Sequence, residues 1–339
     1  MGLILSIESS CDDTGVGITR VEDRALLLHR KISQEGAHSK YGGVVPELAS
    51  RLHATAFPKL IEECRPYFPE LVGVAVTNRP GLAVTLQQGA IVAQALGIGL
   101  GVPIIPVDHL VAHIYSLFIE KEEVKPVLVL LVSGGHTKLL WFNGIGEICE
   151  LSSTLDDSVG EAFDKVAKML GAGYPGGPVV EELARKGGRD LGFPLPLNRR
   201  DRLDFSFSGL KNAVRLAIEK GEGAPADIAY SFQKRAIDHL LQKLEIAIQL
   251  TSPQFVGVVG GVSANKLLRE RVGELGKRYR FTPLYPELKW CSDNGAMVGR
   301  AGIPLLERGD VVSPTQLKVY PRTSFPKCSF LRKNFPSKN

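Results

Sequence analysis

The sequence predicts a duplicated α/β protein, two domains of alternating strands and helices with a cleft between the halves. Three observations carry this. The chain has 339 residues, about two domains' worth at roughly 150 residues each. Apolar runs of strand length alternate with segments of helical period, the pattern of a partly parallel sheet covered by helices. A strand, small polar turn, strand unit opens the chain at residues 3–18 and returns, at low identity, at Val127–Phe142.

The elements follow in order. Leu3–Glu8 is a short apolar strand, and Ser9-Ser10-Cys11-Asp12-Asp13-Thr14-Gly15 a small polar turn. Val16–Val21 and Ala25–Ile32 resume strand composition. Pro46–Cys64 places Leu48, Leu52, Phe57, Leu60 and Ile61 on one helical side. Leu71–Thr77 is a buried strand, Thr85–Leu96 a helix, Val102–Val107 a strand and His109–Phe118 a helix. The pattern restarts with the strand Val127–Val132, the turn Ser133-Gly134-Gly135-His136-Thr137 and the strand Lys138–Phe142. Helices are expected at Gly160–Leu170, Pro178–Arg185, Gly209–Lys220, Asp227–Leu250 and Asp293–Arg308, and a strand at Phe255–Val259. No apolar run approaches the ~20 residues of a spanning helix, and no signal peptide is expected.

Charge is unevenly placed. The net charge is +5, and Arg322, Lys327, Arg332, Lys333 and Lys338 supply all of the excess, so a neutral body carries a basic tail. Such a tail suits phosphate backbones, or is simply solvated. Arg199-Arg200-Asp201-Arg202 reads as a solvated basic loop. The five cysteines (Cys11, Cys64, Cys149, Cys291, Cys328) are scattered, without a C-x-x-C pair. That spacing predicts no disulfide framework, no thiolate zinc site and a reducing cytoplasm. Cys11 reads as structural, since no histidine adjoins it in the sequence.

Several motifs can carry chemistry. Small turn residues let backbone N–H groups approach an anion, so the turns at Ser9–Asp12 and Ser133–Thr137 can embrace a phosphate; alone, each is an ordinary hairpin turn. Gly260-Gly261-Val262-Ser263-Ala264-Asn265 follows a strand and precedes a helix starting near Leu267, which favours negative charge or is a plain strand-to-helix turn. It matches neither the dinucleotide nor the Walker pattern. Tyr174-Pro175-Gly176-Gly177-Pro178 leads into a helix carrying Glu181. Asp164 can accept from ribose hydroxyls, or is an exposed helix charge. His109 and His113, four apart, share one helical face and can share a cation, although such a pair is often incidental. Asp293 is the best third ligand, and two imidazoles with one carboxylate suit ferrous iron or zinc. Leu110 stands where a zincin has its glutamate, which disfavours a metalloprotease.

Nine ordered motifs resemble the bacterial branch of the TsaD family over about residues 3–322. They are Ser6–Thr14, Tyr41–Glu47, Asp108–His113, Leu131–Thr137, Gly160–Lys165, Tyr174–Pro178, Phe205–Lys211, Gly260–Asn265 and Cys291–Asn294. The resemblance implies an actin/Hsp70/sugar-kinase (ASKHA) fold, with a first domain of residues 1–125 plus 294–321, a second of 126–293 and a tail of 322–339. It implies transfer of a threonylcarbamoyl group from threonylcarbamoyl-AMP to N6 of the adenosine 3′ of the anticodon, in tRNAs reading codons that begin with A. His109, His113 and Asp293 would be catalytic and hold one divalent metal, Fe2+ or alternatively Zn2+. Leu131, Val132, Ser133, Gly134, Gly135, Asp164, Gly177, Glu181 and Asn265 would hold the adenylate. A degenerate paralogue (TsaB-like), a small ATPase (TsaE-like) and a separate threonylcarbamoyl-AMP synthase are the implied partners, with no membrane. Asp108 departs from the family, where many members have asparagine. Glu8 and Asp12 are base candidates on position alone. The rival readings are a small-molecule kinase or ATPase of the same fold, and a binding-only scaffold, which would be expected to lose His109, His113 and Asp293.

Overall fold

The computed structural model describes residues 2–199 and 201–329. The chain enters with strands β1 (Leu3–Glu8), β2 (Asp13–Arg20) and β3 (Leu26–Ser33). Helices α1 (Glu35–His38) and α2 (Pro46–Cys64) follow, with Pro46 in the first turn of α2, where its missing N–H costs nothing. Next come β4 (Leu71–Arg79), α3 (Ala83–Leu100), β5 (Ile104–Asp108) and α4 (His109–Tyr115). The second series is β6 (Val127–Val132), β7 (Thr137–Phe142), β8 (Ile148–Ser153), α5 (Val159–Met169), α6 (Gly176–Lys186), α7 (Ser208–Glu219), α8 (Pro225–Thr251), β9 (Phe255–Val259), α9 (Lys266–Tyr279) and β10 (Thr282–Leu284). The chain closes with α10 (Gly295–Arg308).

Two sheets have the same design. One runs β3-β2-β1-β4-β5 and the other β10-β9-β6-β7-β8. In each, the opening strand pairs antiparallel with its hairpin partner and parallel with the strand that returns after a helix. β1 and β6 are the central strands, and every residue of both is buried. That burial explains the unbroken apolar run of β6 and the largely apolar β1, which carries Ser6 and Glu8. Burying one such Leu or Ile contributes about 1.5–3 kcal/mol.

The chain divides into two compact units, residues 2–124 with 286–324, and residues 125–285 with 325–329 among those described. Residues 286–293, expected in the second domain, lie with the first because Asn294 caps α10 and ties the preceding loop to it: its side chain accepts from Met297 N and donates to the Trp290 and Ser292 carbonyls. The 322–339 tail is likewise shared. Residues 322–324 stay with the first unit and 325–329 join the second. The tail's Arg332, Lys333 and Lys338 lie outside the described residues, as does Arg200 of the basic loop. Around that loop Arg199 pairs with Asp201 and Arg202 with Asp204, and the buried Lys243 ammonium donates to the carbonyls of Leu197, Arg199 and Arg202.

Two sequence expectations are corrected. Cys149 and Cys328 form a disulfide across 179 residues. Residues 326–328 run along β8, with Glu150 N donating to Pro326 O at 2.8 Å and Cys328 N to Glu150 O at 3.1 Å, which brings the thiols together. Spacing along the chain carries no trace of that pairing. Secondly, α3 is an 18-residue helix long and apolar enough by composition to cross a membrane. Here it packs on β4 and α2, and leaves Val84, Ile91 and Ile98 exposed at seven-residue intervals.

Candidate functional site

The first half-site is built at the ends of β1 and β5 in the first unit. α4 starts where it does because the Asp108 side chain caps it, accepting from Leu110 N at 2.9 Å and Val111 N at 3.3 Å. One turn of helix then sets His109 and His113 edge to face, their rings 4.5 Å apart. Asp293 is delivered by the residues before α10. Gly295 starts that helix against β2, so closely that a Cβ would lie 2.4 Å from the Val16 carbonyl carbon. Only glycine permits that approach. Ser6 Oγ fixes it further by donating to Gly295 O at 2.7 Å.

The three side chains meet. Asp293 Oδ1 lies 3.2 Å from His113 Nε2 and 3.6 Å from His109 Nε2, and the candidate donor atoms all fall within 4.8 Å of one another. His113 is fully buried, and neither of its ring nitrogens has a well-formed hydrogen bond among the described residues. Among the described residues His113 meets the Asp293 carboxylate only at ion-pair distance, and a buried imidazole so weakly satisfied favours a further ligand. Two nitrogens and one carboxylate oxygen are the donor set for ferrous iron or zinc.

Glu8 completes this half. It is fully buried, and accepts from Ser10 N (2.6 Å), Thr77 Oγ1 (2.6 Å) and His109 Nδ1 (3.2 Å). That arrangement puts the His109 proton on Nδ1 and turns Nε2 toward Asp293. Burial pushes the Glu8 carboxyl up, but the adjacent His109 outweighs it and holds the group below its usual range. Burial works against a charged His109, and Asp293 and Glu8 together lift its pKa to about 9. His113 is held down by burial and by His109. Two carboxylates around two imidazoles make a field that favours a cation. Leu110, which stands where a zincin would have its glutamate base, is fully buried. Burial drives the Cys11 thiol well up. Asp12 is half-buried in the turn.

The second half-site belongs to the second unit. β6 and β9 are parallel neighbours, so the turns that follow them emerge side by side. Ser133 closes the first turn, its N–H on His136 O and its Oγ accepting from His136 N, which leaves Gly134 and Gly135 exposed. The N-terminus of α5 is locked beneath, with Ser158 Oγ donating to Gly134 O. Asp164 Oδ1 accepts from Gly176 N at 2.7 Å, and a Cβ on Gly176 would lie 2.4 Å from the Asp164 Cα. Glu181 accepts from Lys266 N at 2.9 Å, which joins α6 to the start of α9.

Not every expected adenylate residue presents a side chain. Leu131 and Val132 are fully buried in β6. Asn265 caps α9 through Leu268 N and donates to Gln233 Oε1, so both ends of its amide are engaged within the protein. What this half offers is exposed glycine backbone at 134 and 135, a half-buried Gly177, and the Asp164 and Glu181 carboxylates bracing the loops. Sequence reasoning offered Glu8 as a base candidate rather than as a partner of His109, and missed Thr77 entirely. A glutamate inside an otherwise apolar strand was the available signal.

Comparison with known proteins gives the family and the fold. The family profile described as TsaD, tRNA N6-adenosine threonylcarbamoyltransferase, matches residues 25–300. A protein of that name from Nautilia profundicola is 57% identical over 326 residues, covering 96% of this chain and all of the relative. Another from Wolinella succinogenes is 53% identical, covering 95% and 99%. Among solved structures, HypF from T. kodakarensis aligns with a TM-score of 0.63 at 17% identity, over 91% of this chain and 48% of that one. The activator of 2-hydroxyisocaproyl-CoA dehydratase from Clostridium difficile aligns at 0.53 and 11%, over 94% and 99%. These two likenesses support the two-domain ASKHA-like fold.

Proposed function

This chain belongs to the TsaD family of tRNA N6-adenosine threonylcarbamoyltransferases, and from that premise we propose that it moves the threonylcarbamoyl group of threonylcarbamoyl-AMP to N6 of the adenosine 3′ of the anticodon in tRNAs reading codons that begin with A. The observation that supports this most is the His109, His113 and Asp293 cluster, with the fully buried His113 imidazole facing the Asp293 carboxylate. A kinase reading gives those residues no task, and a binding-only scaffold would have no need to keep them.

The reaction joins N6 to the carbamoyl carbon, breaks the bond from that carbon to the phosphate oxygen, releases AMP and gives up one N6 proton. His109, His113 and Asp293 would hold a divalent ion, Fe2+ or Zn2+. When bound, such an ion would supply Lewis-acid stabilisation of charge on the carbonyl and on the phosphate leaving group. Glu8 is a positioning residue that fixes the His109 tautomer, and its three hydrogen bonds leave it no role as base. Asp12 remains the candidate base. The backbone N–H groups of Gly134, Gly135 and Gly177 would orient the adenylate phosphate, with Ser133 holding the turn closed. Asp164 and Glu181 would accept from the ribose, and Leu131, Val132 and Asn265 act by holding the loops. An exocyclic amine is a weak nucleophile, so alignment carries much of the acceleration.

The protein would act in the cytoplasm with a TsaB-like paralogue, a TsaE-like ATPase and an upstream synthase. The exposed heptad Val84, Ile91 and Ile98 on α3 is a face suited to helical packing with such a paralogue. The test is a modification assay with partners, threonylcarbamoyl-AMP and unmodified tRNA, counting threonylcarbamoyladenosine after digestion. Product is expected from the wild type and absent from His109→Ala/His113→Ala. Product from the double variant, or none from the wild type beside a competent control enzyme, would overturn the reading.

A further inference from the structure

We propose that the segment 311–324, with Arg79, is an RNA-backbone subsite that delivers the tRNA strand beside the metal centre. The inference rests on the tRNA-modifying function proposed above and adds where the RNA is held.

The segment is a strap without long regular structure, fixed to the first unit at four points. Val312 exchanges backbone hydrogen bonds with Ile104 of β5, at 2.9 and 3.0 Å. Asn78 grips it twice, with its carbonyl accepting from Tyr320 N at 2.9 Å and its side chain donating to Lys318 O at 3.0 Å. Gly81 N donates to Pro321 O at 3.2 Å. Thr323 Oγ1 donates to Asp108 Oδ2 at 2.7 Å. That last carboxylate is the cap of the helix bearing His109 and His113, and Arg79 Nε meets its Oδ2 at 3.3 Å. The strap therefore ends against the first residue of the metal-binding motif.

Its side chains suit a polyanion. Residues 311–324 contain no acid. Leu317 is buried and Val319 half-buried, whereas Lys318, Tyr320 and Arg322 are exposed, an alternation that puts two cations and an aromatic ring on the solvent side. In extended chain, residues two apart are about 6.6 Å apart, a spacing comparable to one step along an RNA strand. Arg79, Lys318, Tyr320 and Asn78 are among the residues lining a cavity of about 220 Å3. Cations give phosphate affinity without sequence reading, and an exposed ring gives a stacking face indifferent to base identity. An enzyme acting on one base in many tRNAs needs that combination. A neutral groove would suit a protein segment; this one is cationic, rigidly clipped and adjacent to the reacting centre.

The experiment uses the full chain, metal-loaded and with its partner proteins. Affinity for unmodified tRNA is measured as a function of salt, alongside the KM for threonylcarbamoyl-AMP and the metal content. Lys318→Gln/Arg322→Gln is expected to weaken tRNA binding about tenfold and to flatten the salt dependence by roughly one to two contacts. Tyr320→Ala is expected to weaken it several-fold with the salt slope unchanged, as a lost stacking contact does. Donor KM and metal content stay at the wild-type level in both. Wild-type tRNA affinity and slope in both variants would overturn the subsite while leaving the transferase reading intact. So would an equal loss of donor affinity, which marks general damage. A wild-type complex that neither binds nor modifies tRNA overturns both.

Discussion

The two units share one sheet order but equip their corresponding turns in opposite ways. In the first unit the β1–β2 turn is closed, with Ser9 and Ser10 buried and Glu8 sunk beneath His109. In the second the β6–β7 turn is open, with Gly134 and Gly135 exposed. The edge strands diverge too. β5 has five residues and feeds directly into the His109–His113 helix, whereas β10 has three and is followed by a short 3-10 turn, Leu288–Trp290. A common frame thus carries two kinds of recognition. One half offers charged and aromatic-nitrogen side chains that suit a cation, and the other backbone N–H groups that suit an anion. The frame fixes where a turn emerges, and the residues in the turn decide its chemistry.

If that division holds, the two halves fail separately. The largest effect is expected from His113→Ala, which should lower transfer about a thousandfold or more, roughly 4 kcal/mol of barrier, and abolish stoichiometric metal. AMP affinity by calorimetry should change little, because the turns proposed to hold AMP belong to the second unit. A large joint loss would break the comparison. Glu8→Gln comes next. It keeps the shape but removes the charge that orients His109, and metal affinity by competition with a chelating dye should fall about 10–100-fold. An unchanged metal affinity would show that Glu8 does not orient the ligand.

In the second half, Gly176→Ala forces a Cβ against the backbone of Asp164. Donor KM should rise about tenfold, the consequence of a loop shifted by overpacking that costs about 1–3 kcal/mol. Metal content should be untouched, as measured by elemental analysis. The smallest effect on activity is expected from Cys328→Ser. Losing the link to β8 should cost about 2 kcal/mol in denaturant unfolding of the second unit. Both sites should stay within experimental error of the wild type. A large activity loss there would mean that the β8 edge communicates with the loops.

Legibility in the sequence followed burial and locality. β1, β6, β9 and α2 were readable to the residue, since each is a long apolar or strongly periodic run. β8 and β10 were missed because Ile148-Cys149-Glu150-Leu151-Ser152-Ser153 mixes polar groups on an edge and Thr282–Leu284 is only three residues. The histidine pair was legible from helical spacing, and Asp293 from its place before a helix. The bracing roles of Asn265 and Glu181 were not, because their partners Gln233 and Lys266 N are fixed by tertiary packing. The Cys149–Cys328 bond was hidden for the same reason.

The most direct test of the division is a paired titration on three proteins, the wild type, His113→Ala and Gly176→Ala, each assayed for bound divalent metal and for AMP affinity. The account predicts a crossed result, with His113→Ala losing metal and keeping AMP, and Gly176→Ala keeping metal and losing AMP. Metal retained at full stoichiometry by His113→Ala, or both ligands lost together in either variant, would contradict it.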